Sequence, residues 1–304
     1  MKTETTPRKR IGFDVLANPS AMNQFFLDSG AFSQRTQAKK EFPHNPFLYY
    51  ETDEFWKYVR SYGKFVTKFG NAIDYYATVD VIYNPELSWK VLRYLEKEFG
   101  LKPVPVIHFG TGLEWVEKHL DAGYDFIGLG GFGSKKSTKE KYLKWVGNIF
   151  ELACPRPSRL PSVRFHGFAM TSWEMLTRFP WYSVDSSSWV QFAAYGWVCF
   201  PRKTGGTFNF KTPPFALQIS ENAGTRSKQG KHYMTVNPAE RAILKEWLDM
   251  NGVPLGDDNE KGVTNHYKYR CQANLLYYEA LAAHLPPWPW PYRGYLTRTG
   301  FFDL

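Results

Sequence analysis

Phe25-Phe26-Leu27-Asp28-Ser29-Gly30-Ala31-Phe32-Ser33 is the stretch from which the fold reads. An apolar run with strand character ends in an acid and a hydroxyl, and the glycine that follows lets the backbone turn sharply. An α/β chain sets a carboxylate at the mouth of a sheet in this way. Three later segments repeat the pattern: Tyr76-Ala77-Thr78-Val79-Asp80, Phe126-Ile127-Gly128-Leu129-Gly130-Gly131 and Trp181-Tyr182-Ser183-Val184-Asp185. Each runs from apolar residues into an Asp or a glycine pair, and these ends are expected to converge on one pocket.

Helical signals alternate with the strands. Residues 53 to 69 carry Phe55, Trp56, Val59, Tyr62, Phe65, Val66 and Phe69 on one broad face, and Gly70 stops the pattern. Asn84-Pro85-Glu86 opens a helix through Phe99, with Asn at the cap, Pro in the first turn and Gly100 at the exit. Residues 112–122, 139–153 and 172–178 read as further helices, between strands at 103–109, 125–131, 163–166 and 181–185. Strand starts at Ile11, Phe25, Tyr75, Val104, Phe126, Val163, Tyr182 and Gly196 predict an α/β fold, a (β/α)8 TIM-type barrel over residues 11–200. An open doubly wound sheet is the alternative, but Gly-x-Gly-x-x-Gly is missing after the first strand. Residues 34–52, with Pro43, Pro46 and several aromatics, read as a long connection serving as a lid or binding element.

Residues 1–10 form a polar, basic arm. Past Phe200 the pattern changes to a basic loop region and a helical C-terminal appendage, residues 201–304. It has one strand at 215–219, a capping box Asn237-Pro238-Ala239-Glu240 opening a helix to Met250, and a helix over 266–284. The tail Pro286-Pro287-Trp288-Pro289-Trp290-Pro291-Tyr292 cannot be helix or inner strand and is expected to pack over the barrel.

A chain of 304 residues with 43% hydrophobic and 22% charged residues is globular rather than disordered. The aromatic share of 18% serves either thick packing or platforms on which bases stack. A net charge of +9 suits a polyanionic partner. Between residues 202 and 231, Arg202, Lys203, Lys211, Arg226, Lys228 and Lys231 face Glu221 alone. A second cluster, Lys135, Lys136, Lys139, Lys141 and Lys144, follows the glycine pair; it either holds phosphates or forms a solvated helix face. The cysteines, Cys154, Cys199 and Cys271, lie far apart, without the spacing of a zinc site or a disulfide framework. Reduced thiols in a cytoplasmic compartment are expected. No apolar run reaches the roughly 18 residues of a membrane span, and residues 1–10 lack the apolar core of a signal peptide.

Asp28, Asp80 and Asp185 all end predicted strands. Paired carboxylates around a sugar are what glycosyl chemistry needs, one attacking or stabilising the anomeric carbon while another moves protons. Gly130 and Gly131 let backbone approach a flat ligand, or simply turn the chain. His108 and His166 end neighbouring predicted strands; without a His-x-His or His-Glu-x-x-His pattern they read as buried, hydrogen-bonded histidines rather than metal ligands, and His108 is placed to touch a base. Ser186-Ser187-Ser188 lack a nucleophile elbow and read as polar lining or a helix start.

The order of these motifs resembles the tRNA-guanine transglycosylase family. Asp28-Ser29-Gly30-Ala31-Phe32-Ser33 is similar to its Asp-Ser-Gly-Gly-Phe-Gln motif, Asp80 stands where the base-reading acid stands, His108 where the family has Gln, Leu129-Gly130-Gly131 at its glycine pair and Asp185 at its nucleophile. The likeness covers roughly residues 25 to 200 and looks more like the phage-type members that insert 7-deazaguanines into DNA. It implies a base exchange without cofactor or catalytic metal: Asp185 attacks the anomeric carbon and expels guanine, and a 7-deazaguanine attacks the glycosyl-aspartate in turn. Asp28 is then the acid/base, or alternatively the attacking group. Asp80 reads the guanine edge, Gly130 and Gly131 contact the base through their backbone, Ser29 and His108 line the site and Phe32 stacks. The basic residues Lys135, Lys136, Arg202, Lys203, Lys211, Arg226, Lys228 and Lys231 would hold nucleic acid, DNA in preference to tRNA. Ala31, Ser33 and His108 depart from the family pattern, and its Cys-x-Cys-x-x-Cys zinc site has no counterpart. The other readings are a nucleoside or sugar glycosidase using the same acids, and a non-catalytic, basic nucleic-acid-binding barrel.

Overall fold

The computed structural model describes residues 25–131, 138–222 and 232–294. The basic arm, the strand expected at Ile11 to Leu16, and Lys135, Lys136, Arg226, Lys228 and Lys231 lie outside the described residues. The chain divides into two compact units, Met1–Pro105 and Val106–Leu304.

In the first unit, β1 (Phe26–Leu27) pairs parallel with β2 (Tyr75–Tyr76), Phe26 opposite Tyr75 and Leu27 opposite Tyr76. Ala77 in turn bridges parallel to Val104. Helix α1 (Ala31–Glu41) follows β1, then a 3₁₀ turn (Pro46–Glu51), α2 (Asp53–Phe69) and, after β2, α3 (Pro85–Phe99). The stretch read as a long connection is therefore mostly helical. Gln34, Arg35, Gln37, Ala38, Lys39, Lys40 and Glu41 are strong helix formers. They carry no apolar stripe, and only Ala31 and Ala38 are buried, so periodicity gave no sign of the helix. By contrast α2 and α3 match the expected bounds. Thr52 accepts from the Phe55 amide (3.3 Å) and Asn84 from the Leu87 amide (2.9 Å), and Gly100 ends α3 with φ 64°. Their buried faces, Phe55, Val59, Tyr62 and Val66 on α2 with Val91 and Leu95 on α3, join Val79 and Val81 in one core.

The second unit opens with a parallel sheet in the order β3 (Val106–His108), β4 (Phe126–Gly130), β5 (Arg164–Gly167), β6 (Ser183–Val184). Helices α4 (Leu113–Asp121), α5 (Lys139–Ala153) and α6 (Trp173–Arg178) alternate with these strands. Every residue of β4 is buried, as expected for an inner parallel strand covered on both faces. Ile127, Leu129, Val146, Ile149, Phe150, Phe165, Phe179 and Trp181 form its core. The proline-rich tail is part of that core, since Tyr292 is buried among these residues, and Trp288 Nε1 donates to Pro180 O (3.1 Å).

After α7 (Ser188–Ala194) comes β7 (Trp197–Phe200), which was counted as the last barrel strand. It pairs antiparallel with β10 (Phe215–Gln218), Phe200 opposite Phe215. Between them β8 (Arg202–Thr204) and β9 (Thr207–Asn209) form a hairpin about Gly205-Gly206, a turn dipeptide the sequence displays but whose short flanks hid it. Helices α8 (Pro238–Met250) and α9 (Tyr267–Ala283) complete a separate cluster of Val198, Phe200, Phe210, Leu217, Leu244, Trp247, Ala273 and Tyr277. Asn274 of α9, fully buried, accepts from the Cys199 amide (2.8 Å) and donates to Trp189 O and Trp197 O. The pairings establish the α/β class with parallel sheets. Among the described residues no helix is long and apolar enough to cross a membrane.

Candidate active site

Strands that run parallel in sequence order present their carboxyl ends along one sheet edge, where α/β folds gather functional groups. In the second unit that edge carries His108, Gly130, Gly167 and Asp185. Asp185 directly follows β6, and its amide donates to Gly167 O (3.2 Å). Oδ1 accepts from the Ala169 amide (3.0 Å) and lies 3.4 Å from His166 Nε2, while the side chain keeps 60% of its surface exposed. The Met170 amide donates to Asp185 O (3.1 Å), so the turn after β5 wraps around the acid. Ala169 adopts φ 60°, a left-handed conformation that costs a non-glycine residue about 1 kcal/mol. Packing against Asp185 pushes its carboxyl up, but the His166 and Ala169 hydrogen bonds outweigh this and hold it below the usual carboxylate range.

His108 is buried opposite Gly130 in the β3–β4 register. The Gly130 carbonyl accepts from the Phe109 amide (2.8 Å), so that oxygen is committed to the sheet. Gly131 has φ 82°, and a Cβ there would sit 3.0 Å from the Phe109 amide nitrogen and 3.1 Å from His108 Cβ. The left-handed turn at Gly131 fits the tight-turn reading of this glycine pair. Phe168 covers β4, its ring 2.6 Å from the place a Gly128 Cβ would take and edge-on to His166 at 4.4 Å.

In the first unit Asp28 is exposed just past β1, whereas Asp80 is buried past β2. Both acids act on Tyr62: burial raises its phenol first, with Tyr58, Asp28, Tyr76 and Asp80 adding to the effect. Tyr58 is raised by burial and then by Asp28, and Tyr50 is pushed up to about 12 by burial, with Arg35 opposing and Asp80 reinforcing. The two carboxylates thus share a neighbourhood of buried tyrosines. Ser29 Oγ and Thr78 Oγ1 are buried there without a hydrogen-bond partner among the described residues. Phe32, on α1, is 73% exposed, free to meet a ligand. Gly30 caps α1 with φ 73°, and a Cβ at this position would lie 2.6 Å from Tyr58 Oη, which itself donates to Ser29 O (2.7 Å). Gly30→Ala is therefore expected to destabilise the protein by about 1–3 kcal/mol through strain and displacement of Tyr58. Urea denaturation measures this, and an unchanged midpoint would contradict it.

Among the basic candidates, Lys203 Nζ contacts both Glu246 carboxylate oxygens at 2.7 Å, so its charge is already matched. Arg202 is exposed, stacks over Phe215 at 4.0 Å and donates to Pro213 O (2.9 Å); Lys211 is exposed. Lys139 of the second cluster pairs with Glu174. Ser186 Oγ bonds Ser188 Oγ (2.6 Å) and accepts from the Ser188 amide at the start of α7, which fits the helix-start reading of the serine run. Burial pushes the free thiols of Cys154 and Cys199 up to about 12, which leaves neither nucleophilic near neutral pH. Among the described residues no group of three or more His, Cys, Asp or Glu could hold a metal ion.

The contact between His166 and Asp185 is the one that sequence reading missed. Its burial and hydrogen bonding were expected, but its partnership with Asp185 depends on strand register. The available signal was the Ser183-Val184-Asp185 spacing, which puts the hydroxyl and the carboxylate on one face of the neighbouring strand. No family model, curated protein or solved structure matches this chain.

Proposed function

We propose that the protein is a guanine transglycosylase, a pentosyltransferase that exchanges guanine in nucleic acid, DNA in preference to tRNA, for a 7-deazaguanine, on a (β/α)8-type barrel. The observation that carries this reading is the Asp185 carboxylate, half-exposed at a strand end and held ionised by two donors on one oxygen. An anionic carboxylate in that setting can attack an anomeric carbon. Its oxygen bonds to C1′ as the C1′–N9 bond breaks; the electron pair leaves with the base, which takes up a proton. The incoming 7-deazaguanine gives up its N9 proton and attacks C1′, which releases the carboxylate. One glycosidic bond replaces another, so the exchange is close to thermoneutral and requires no energy-supplying cofactor.

Asp28, Asp80, Ser29, Phe32 and His108 carry the roles that the family resemblance implies. For the glycine pair, Gly131 is the better backbone contact, because the Gly130 carbonyl is taken by Phe109. The test is to supply labelled guanine or a labelled 7-deazaguanine with duplex DNA and, separately, with tRNA. Incorporation into either supports the reading, and exchange into neither sinks it. Release of free base without incorporation would make the protein a glycosidase. Binding without turnover that survives loss of all three acids would make it a non-catalytic nucleic-acid-binding protein.

A further inference from the structure

The His166 ring is 5% exposed at the end of β5, and its register partner on β6 is Ser183. Nδ1 lies 2.9 Å from Ser183 Oγ, and Nε2 lies 3.4 Å from Asp185 Oδ1. A neutral imidazole bridging a hydroxyl and a carboxylate has one arrangement in which both contacts are hydrogen bonds. The Ser183 hydroxyl donates to Nδ1, and Nε2–H donates to the carboxylate. The Phe168 ring, edge-on at 4.4 Å, packs against the imidazole and limits its rotation. Two of the donors to Asp185, His166 Nε2 and the Ala169 amide, meet the same oxygen.

We propose that His166 is a positioning residue for Asp185: with Ala169 it holds Oδ1, and so leaves Oδ2 as the oxygen presented to substrate. This rests on the reading of Asp185 as the reacting carboxylate. Ser183 acts one step further back by fixing the tautomer. Without its hydroxyl the ring can carry its proton on Nδ1 and turn a lone pair toward the carboxylate. Among the described residues, the titratable side chain that acts on Asp185 from β5, β6 and the turn carrying Ala169 is His166; the other hydrogen bonds come from the backbone amides of Ala169 and Asp185 itself.

The experiment follows the Asp185 carboxyl carbon by NMR in protein labelled with 13C-aspartate, the signal being assigned by its loss in Asp185→Asn. Wild-type protein is expected to titrate below the ordinary Asp range, and His166→Ala to titrate about one pH unit higher. His166→Gln, whose side-chain amide can donate in place of Nε2, restores most of the shift. Ser183→Ala falls between, and it serves as the reporter if His166→Ala does not fold. Covalent capture of nucleic acid should slow about a hundredfold in His166→Ala, with KM unchanged. An identical titration in wild type, His166→Ala and Ser183→Ala overturns the role of His166. A wild-type protein that exchanges no base overturns the proposed function instead, and a titration that still moves with His166 upholds the coupling.

Discussion

Asp185→Asn is expected to reduce covalent capture of nucleic acid on the order of 10⁴- to 10⁶-fold, the range seen when a nucleophile is removed from an enzyme. Asparagine has the shape of aspartate, and its carboxamide oxygen can still accept from the Ala169 amide, the contact made by Oδ1 at 3.0 Å. The turn around the residue should therefore persist, so lost activity reports chemistry and not unfolding. What disappears is the anion that, on the proposed reading, forms the glycosyl ester. Retention of labelled DNA on a denaturing gel measures it, and capture that persists in Asp185→Asn would move the nucleophile to Asp28. The pH dependence has a defined sign. Because the folded protein lowers the Asp185 carboxyl, its contribution is fully present above the ordinary carboxylate range and is lost only as pH falls through that lowered value.

Tyr292→Ala is expected to cost about 3–5 kcal/mol of stability, the penalty for deleting a buried aromatic ring. The ring is 1% exposed and stacks on Phe179 at 5.8 Å, with Phe150 at 5.7 Å. Its amide donates to Arg159 O (2.8 Å), and Arg159 Nε donates back to Tyr292 O (3.1 Å). The Arg159 guanidinium lies 5.0 Å from the ring centre and grips Glu151 through both carboxylate oxygens at 2.7 and 2.9 Å. Tyr292→Phe keeps the ring and loses the hydroxyl bond to Gly147 O (3.3 Å), so its cost should be about 1 kcal/mol. Guanidinium denaturation separates the two variants. Equal, small losses in both would show that the tail merely rests on the surface.

Local signals carried most of the helices. Asn84 and Asn237 were read as caps, and each accepts the amide three residues on, at 2.9 and 2.8 Å. Helix α1 stayed hidden because a helix with no apolar stripe leaves no period to find. The partner of β7 was illegible for a different reason. A four-residue apolar strand states its own conformation but not its neighbour, and β10 reaches it only through the turns after Phe200. At the candidate site, Asp28, Asp80, Asp185 and the glycines announced themselves by standing where apolar runs stop. The contact between His166 and Asp185 needs two strands in register, and no single segment encodes that.

Tyr292 and Gly147 meet across 145 residues of chain. Residues 107 to 181, which supply the rest of the buried cluster around that ring, leave the ribosome well before the tail is made. At roughly 5–20 residues per second the wait is on the order of ten seconds. For that interval Phe150 and Phe179 lack the ring that covers them. The unit completes its core only after synthesis has passed the tail, and until then this aromatic face lacks its last ring.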